Sequence, residues 1–182
     1  FLEAAEEYGY EAHGLEPSRY LVESGNKRGL KLRQGTIQQH DFIENSFDMI
    51  TFWDGLEHLA EPRRDLEAVR PLLRKGGVLL INYPDIGTWQ AKLAGSKFWW
   101  LLSVHLTHFS RASIREVCTR TGFEVVKFKP YWQTLEFGYL QGIAAHLGVP
   151  LAATIAKLTP SFLKRIPMPY YASQTTCIAR AL

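Results

Sequence analysis

Short apolar runs alternate with amphipathic segments along most of the chain. Apolar or alternating runs, which are typical of strands, are ended by glycine, proline or charged residues. The predicted strands span residues 10–16, 30–36, 46–54, 78–84, 124–130 and 175–182. Apolar residues at spacings of three and four predict helices at 1–8, 17–29, 61–77 and 110–123. Helices that alternate with buried strands predict an α/β fold, a three-layer αβα sandwich around a mostly parallel sheet.

The two central helices carry the clearest signals. In 61–77 an apolar stripe runs to the glycine pair at its end, and its members are Leu66, Val69, Leu72 and Leu73. In 110–123, Ser110 is placed to cap the first turn. The residues of this helix expected to face inward are Ile114, Val117 and Cys118. Strand 46–54 is mostly apolar, as expected of a strand buried on both faces of a sheet.

Two stretches interrupt this pattern and are expected to cover a ligand site. Residues 85–109 contain Phe98, Trp99 and Trp100, and residues 131–171 are apolar and rich in proline. Both follow strand ends or lie in crossovers, where open α/β sheets bind ligands. We therefore predict a single domain over 1–182 in which 85–109 and 131–171 cap the substrate.

Residues 137–156 carry no charged side chain over a length close to that of a membrane span. Gly138, Gly142, Gly148 and Pro150 interrupt this stretch. It predicts two short buried or interfacial helices in place of a span, with peripheral membrane contact as a further expectation.

Composition narrows the class of protein. The 182 residues are 46% hydrophobic and 21% charged, which suits a packed domain and argues against disorder. A net charge of +3, without a concentrated basic stripe, argues against a nucleic-acid partner. Cys118 and Cys177 are far apart in sequence, which suits small core residues in a reducing compartment better than a disulfide framework or a zinc ribbon. The first residues lack the pattern of a signal peptide, so we expect a cytoplasmic location.

The stretch 10–18, YEAHGLEPS, predicts a strand that ends in a carboxylate just before a helix. In nucleotide-binding α/β folds, an acid at the end of the second strand accepts hydrogen bonds from ribose hydroxyls. Glu16 is placed for that role. The competing interpretation is that Glu16 only interacts with the dipole of the following helix.

Motifs in a fixed order resemble the class I S-adenosylmethionine-dependent methyltransferases, most closely the small bacterial methyltransferase domains. They are GLEPS, GTIQQHDFIENSFDMITFWDGLEHLAEP, LRKGGVLLINYP and HLTHFSRASIREVCTRTGFEVV, and the resemblance covers residues 1–127. It implies a Rossmann-like, seven-stranded fold with an antiparallel last strand, and S-adenosylmethionine as the cofactor. It also implies a first strand and a glycine-rich loop ahead of residue 1, so we expect a sequence truncated before them. Without that loop we expect weakened cofactor binding, and the strand edges left open predict a homodimer or a rearranged sheet that covers an edge.

The resemblance also assigns cofactor-binding residues. They are Glu16, Pro17, Ser18, Thr36, Ile37, Trp53 and Asp54. Glu16 would bind the ribose, and Thr36 and Ile37 would lie at the adenine, although many members of the family carry an aspartate where Thr36 stands. Trp53 would flank the methionine part, with a core aromatic as its competing interpretation.

Methyl transfer to a hydroxyl of a small molecule needs a positioned acceptor and a base that takes its proton. Histidine titrates near neutral pH and suits that role. His108 is the first candidate for the catalytic base, His58 the second and His105 the third. The competing interpretation is that His58 and His108 only hold loops through hydrogen bonds to the backbone. The aromatic residues of the predicted caps favour an apolar, aromatic or lipid-linked acceptor.

Three alternative hypotheses remain at this stage. In DGLEH, the residues Asp54, Glu57 and His58 are spaced to share one helix face, and with His105 or His108 they would form a metal site. This resembles the metal cluster of small-RNA 2′-O-methyltransferases and ubiquinone O-methyltransferases, with aspartate in place of the first glutamate. The second alternative is a nicotinamide-dependent oxidoreductase, although the chain has no Tyr-x-x-x-Lys pair. The third is a non-catalytic fragment.

Overall fold

The computed structural model of the chain describes residues 1–146 and 148–182. Its helices are α1 (Leu2–Glu7), α2 (Arg19–Lys27), α3 (Pro62–Val69), α4 (Trp89–Ala94), α5 (Arg111–Arg120), α6 (Phe137–His146), α7 (Ala152–Leu158) and α8 (Ser161–Lys164). Its strands are β1 (Gly14–Glu16), β2 (Leu32–Gln34), β3 (Phe47–Trp53), β4 (Leu73–Pro84), β5 (Phe123–Glu136) and β6 (Pro167–Ala181). Short 3₁₀ turns lie at Leu56–His58, Arg70–Leu72 and Gly95–Lys97.

The strands form two sheets. β1 and β2 pair in parallel, with Glu16 opposite Gln34 where both strands end. The larger sheet has the order β3-β4-β6-β5, in which β3 and β4 are parallel and β6 runs antiparallel to both of its neighbours. This α/β arrangement with an antiparallel last strand confirms the predicted fold class. Among the described residues, no backbone ladder joins β1 to β3.

The core lies against the larger sheet, under α3 and α5. Leu66 of α3, Ile114 of α5, and Leu79 and Ile81 of β4 are fully buried in one cluster. Burying an aliphatic side chain of this size stabilises the fold by roughly 1.5–3 kcal/mol. The same cluster contains Cys118 and Cys177 as free thiols, which confirms them as small core residues.

Helix α5 follows its sequence prediction closely. The Ser110 hydroxyl accepts a hydrogen bond from the Ser113 N–H at 3.3 Å, and the Ser110 N–H donates to the Ser113 hydroxyl at 2.9 Å. This reciprocal pair is a capping box with serine in the third position. At the other end, Gly122 follows with φ of +83°, a conformation that glycine adopts without strain.

The predicted helix over 61–77 is wrong beyond Val69. Pro71 has no N–H to continue the helical hydrogen bonds, so a 3₁₀ turn follows and Leu73 already begins β4. Leu72 and Leu73 are nevertheless buried, because the turn and the strand lie against the same core. Gly76 lies within β4 at φ of +79°, where the register against β3 shifts.

Other boundaries also differ from the prediction. The strand expected at 10–16 is formed only at Gly14–Glu16. Strand β3 has no fully buried residue, because it pairs only with β4. The predicted cap at 131–171 begins and ends in β5 and β6, which form one long antiparallel ladder, and α6, α7 and α8 lie between them. We refer to residues 137–164, which contain these three helices, as the cap. No described helix is long and apolar enough to cross a membrane.

Candidate active site

The residue after β3 has an unusual backbone conformation. Asp54 adopts φ of +46°, and its N–H donates to the Asn82 carbonyl at 3.2 Å. Its Oδ1 accepts from the Asn82 side-chain amide at 3.2 Å and from the Gln174 side-chain amide at 2.5 Å. Burial raises the pKa of Asp54, and these two hydrogen bonds act in the opposite direction. The site therefore holds Asp54 in one orientation at the end of the strand.

Trp53 is not a core aromatic. It leaves 36% of its surface exposed, and its ring lies 5.5 Å from the ring of Phe1 and 5.5 Å from that of Tyr131. Since β3 ends at this residue, the indole stands at the rim of the sheet. It is therefore available to a ligand bound at that rim.

Glu57 is a buried acid whose carboxylate has no hydrogen-bond partner among the described residues. It lies in the 3₁₀ turn Leu56–His58 and is only 2% exposed. Its main-chain carbonyl accepts from the Thr107 N–H at 3.1 Å, but neither carboxylate oxygen has a polar partner among the described residues. Burial raises the pKa of Glu57, and the nearby Asp54 carboxylate raises it further. A buried carboxylate without partners is costly, so this position calls for a proton or a cation.

Two histidines, His58 and His105, lie beside this acid, and His108 lies next to His105. The rings of His58 and His105 lie 4.9 Å apart, and those of His105 and His108 lie 6.2 Å apart. His58 Nδ1 lies 2.9 Å from the Val104 carbonyl and His105 Nδ1 lies 2.8 Å from the Trp100 carbonyl. A carbonyl only accepts hydrogen bonds, so both neutral rings carry their proton on Nδ1 and leave Nε2 with a free lone pair. Burial lowers the pKa of His105, which favours its neutral form.

The group of side chains that could hold a metal ion differs from the predicted one. Glu57, His58 and His105 each offer a ligand atom within 4.8 Å of the others. The predicted member Asp54 does not share a helix face with them, because it directly follows β3 and its carboxylate is held by Asn82 and Gln174. His105 belongs to the group in place of Asp54. It is one of the two histidines that the sequence indicated as a further metal ligand.

A cavity of about 760 Å³ lies between the aromatic stretch and the cap. Its larger lining residues include Trp99, Trp100, Leu135, Tyr139, Ile143 and Tyr170. The Trp100 ring is stacked on His105 with centroids 6.1 Å apart, and its indole N–H donates to the Ala172 carbonyl at 2.5 Å. Trp100 therefore belongs both to the wall of the cavity and to the histidine cluster. An apolar cavity that shares Trp100 with the histidine cluster suits an apolar ligand with one polar group.

The strand-end acid Glu16 has a local role and keeps a free oxygen. Its Oε1 accepts from the Ser18 N–H at 2.8 Å, at the start of α2. The Ser18 hydroxyl accepts from the Leu21 N–H at 3.4 Å and so caps the helix. No described residue hydrogen-bonds Oε2 of Glu16. The competing interpretation, a partner for the helix start, is therefore correct for one oxygen and leaves the other available.

The remaining predicted cofactor residues lie at the ends of β1 and β2. Thr36 exchanges backbone hydrogen bonds with Gln39, which closes a tight turn after β2. Ile37 is partly buried and packs against the core cluster. The Pro17 carbonyl lies 3.4 Å from the side-chain amide of Gln34.

The sequence model of a family described as a methyltransferase domain matches residues 1–127. The chain belongs to this methyltransferase family. Membership of this family supports an S-adenosylmethionine-dependent methyltransferase and argues against the alternative hypothesis of a nicotinamide-dependent oxidoreductase. The residues beyond 127, which include the cap, lie outside the match.

Solved structures show that the methyltransferase fold extends over nearly the whole chain. An S-adenosylmethionine-dependent methyltransferase of Thermotoga maritima is 22% identical, with a TM-score of 0.62 over 97% of this chain and 75% of its own. A methyltransferase of Archaeoglobus fulgidus is 14% identical, with a TM-score of 0.65 over 99% and 80%. A third, from Methanosarcina mazei, is 14% identical, with a TM-score of 0.61 over 100% and 86%. No curated protein sequence matches the chain.

The methyltransferase uses S-adenosylmethionine, and the free oxygen of Glu16 fits that cofactor. A carboxylate at the end of a strand can accept hydrogen bonds from the vicinal hydroxyls of a ribose. In this fold Glu16 would hold the ribose, the turn at Thr36 and Ile37 the adenine, and Trp53 with Asp54 the methionine part. These assignments stay predictions.

The sequence did not indicate two polar residues of the candidate site, Gln174 and Asp85. Gln174 is fully buried, donates to Asp54 and accepts from the Gln133 amide at 2.6 Å. Asp85 is 1% exposed and accepts from the Thr175 hydroxyl at 2.9 Å and from Arg111 Nε at 3.2 Å. Only the antiparallel pairing of β4 with β6 brings residues 82–85 next to residues 174–176. No local pattern in the sequence indicates that pairing.

Proposed function

We propose that this methyltransferase methylates a hydroxyl oxygen of a small apolar or aromatic molecule, with a histidine of the cluster as the general base. The observation that carries the proposal is the orientation of His58 and His105, whose Nδ1 atoms are occupied by backbone carbonyls. A neutral imidazole fixed in this way presents Nε2 as a proton acceptor. The adjoining aromatic cavity supports an acceptor with an apolar body.

His58 is the base that this geometry favours. Its side chain is exposed, so an acceptor hydroxyl can reach Nε2, and the proton that it takes can pass to water. His108, the first candidate from the sequence, has an Nε2 atom that is buried without a partner. It cannot touch an acceptor unless the surrounding loop moves. His105 is buried and stacked on Trp100, which suits a positioning residue.

The chemistry divides simply between protein and cofactor. When bound, S-adenosylmethionine would supply a methyl carbon on a positively charged sulfur, with the neutral thioether S-adenosylhomocysteine as the leaving group. The cavity would hold the acceptor so that its oxygen faces that carbon, which makes the displacement effectively intramolecular. His58 Nε2 would take the hydroxyl proton as the oxygen–carbon bond forms. The aromatic wall formed by Trp99 and Trp100 would limit the access of water.

The experiment measures production of S-adenosylhomocysteine with matched acceptors. We expect turnover with phenols and other hydroxylated apolar compounds, and little with the amines of the same skeletons. His58→Gln should lower kcat by about 10²–10⁴-fold, because general-base catalysis contributes about that much. His40→Gln, in the loop after β2, is the matched control and should retain activity. Turnover only with amines would overturn the oxygen assignment, and absence of turnover with every acceptor would support the non-catalytic fragment.

A second candidate function is metal-dependent O-methylation at the same cluster. It is supported by the grouping of Glu57, His58 and His105, and by the unpartnered carboxylate of Glu57. Metal-bound histidines usually donate their other N–H to a carbonyl, as both rings do here. Two imidazoles and one carboxylate suit zinc, iron(II) or manganese, which would bind the acceptor oxygen and lower the pKa of its hydroxyl.

The two candidates differ in their response to metal removal. A histidine base works in the presence of a chelator, and a metal site does not. We expect titration with cobalt(II), used as a spectroscopic probe, to give visible d–d absorption in the native protein and none in Glu57→Gln if the site binds metal. Activity that survives exhaustive chelation would leave only the histidine base.

A further inference from the structure

The cap exposes an unusual apolar stripe. Its members are spaced by four, three and four residues from the start of α7 into α8, and we call them the cap stripe: Leu151, which directly precedes α7, Ile155, Leu158 and Phe162. Each leaves between 53% and 77% of its surface exposed. Next to these residues, Ala152 is buried, and the α6 residue Gln141 donates to the Thr159 hydroxyl at 2.8 Å. The cap is therefore packed against α6 through these smaller residues and leaves the large apolar side chains exposed to solvent.

The charged residues of this part of the chain are all cations. Lys157, Lys164 and Arg165 belong to the same segment, and no ion pair engages them within the described residues. From Phe137 to Leu182 the sequence contains no aspartate or glutamate, and the nearest acid is Glu136 at the end of β5. A surface that combines large apolar side chains with unpaired cations complements an anionic lipid surface, where lysine and arginine reach the headgroups and the apolar groups enter the acyl boundary.

We propose that the cap stripe seats this protein on the surface of an anionic membrane, with α7 and α8 lying in the interface. A second copy of the chain is a poorer occupant, because a symmetric contact would bring Lys157, Lys164 and Arg165 of one copy against the same cations of the other. The proposal does not depend on the reaction. Tyr139 and Ile143 of α6, which belongs to the cap, line the aromatic cavity. If the proposed acceptor chemistry holds as well, membrane binding through the cap would therefore bring this cavity close to the lipid.

Vesicle flotation tests membrane binding without cofactor or acceptor, so its result is independent of the methylation assay. The probes are vesicles of phosphatidylcholine alone and of phosphatidylcholine mixed with phosphatidylglycerol. We expect the protein to float with the mixed vesicles, to stay largely free of the neutral ones, and to dissociate as salt screens the charges. The double variant Leu158→Ser with Phe162→Ser should lower partitioning by about tenfold or more, and Lys157→Glu with Arg165→Glu should lower it selectively on the anionic vesicles.

Matched controls change the same properties elsewhere on the surface. Ile43→Ser with Tyr20→Ser removes two side chains of similar exposure, and Lys27→Glu with Lys75→Glu changes the net charge by the same amount. Both controls should float like the native protein, and circular dichroism should show all variants folded. Absence of flotation, or equal loss in the controls, would overturn the proposal. A native dimer in solution that Leu158→Ser with Phe162→Ser converts to a monomer, without vesicle binding, would assign the stripe to a second copy instead.

Discussion

The Gln174 side-chain amide donates a hydrogen bond to Asp54 Oδ1 over 2.5 Å and joins residues that lie 120 positions apart. Its own carbonyl accepts from Gln133, which lines the aromatic cavity. On the other side of Asp54, the Asn82 amide is oriented by the Thr176 hydroxyl, which donates to its Oδ1 at 3.0 Å. A continuous, partly buried set of hydrogen bonds therefore runs from the aromatic cavity to the end of β3.

Replacing Gln174 by leucine should break this connection at its centre. The change leaves the Gln133 amide and one side of the Asp54 carboxylate without partners, so we expect a loss of about 2–3 kcal/mol in the free energy of unfolding. Urea denaturation measures it. Gln133→Leu removes only the outer link and should cost less. Equal losses in the two variants would show that Gln174 has no special role in holding Asp54.

The long-range part of the site was the part that the sequence could not predict. Ser110 and Ile114 lie within one helix, and their roles follow from local spacing, so they were predicted correctly. Gln174 and Asp85 acquire their partners through the pairing of β4 with β6, which no local pattern encodes. The three histidines were predicted as candidates for one catalytic role, and their rings do lie together. Their proton positions depend on the carbonyls of Trp100 and Val104, which only the folded loop brings close.

Glu57 should make the metal-free protein less stable as the pH rises. Its pKa is raised above the ordinary value of 4.5, so the folded state holds its proton more tightly than the unfolded state does. The contribution of this proton to the free energy of unfolding is fully present below pH 4.5 and is lost as the pH rises through the pKa of Glu57 in the folded state. Glu57→Gln, measured with a chelator present, should flatten this dependence and stabilise the protein at neutral pH by about 1–3 kcal/mol. Glu116→Gln, on the exposed face of α5, should change little. A variant less stable than the native protein at neutral pH would show that the carboxylate has a stabilising partner.

Gly142 allows the cavity to be filled without harming the fold. It lies on α6, lines the cavity, and a Cβ added to it would meet nothing within 4 Å. Gly142→Leu should therefore preserve stability or raise it by up to about 1 kcal/mol, because leucine favours a helix more than glycine does. The same side chain would occupy acceptor space, so we expect KM for apolar acceptors to rise about tenfold or more with unchanged affinity for S-adenosylhomocysteine. Gly142→Ala is the graded control and should give the stability gain with little effect on KM. An unchanged KM in Gly142→Leu would place the acceptor elsewhere.

Glu16 can be tested in a way that separates its two roles. Glutamine keeps a side-chain oxygen for the Ser18 N–H, which donates to Glu16 at 2.8 Å, so Glu16→Gln should unfold at nearly the native temperature. It removes the negative charge that would bind ribose hydroxyls, and charge-assisted hydrogen bonds contribute about 1.5–3 kcal/mol. We therefore expect the dissociation constant for S-adenosylhomocysteine to rise about 10- to 100-fold, measured by isothermal titration calorimetry. The thermal shift produced by that ligand should shrink in proportion. Glu23→Gln, on the exposed face of α2, is the matched control. Loss of thermal stability in Glu16→Gln without loss of affinity would mean that the carboxylate serves only the start of α2.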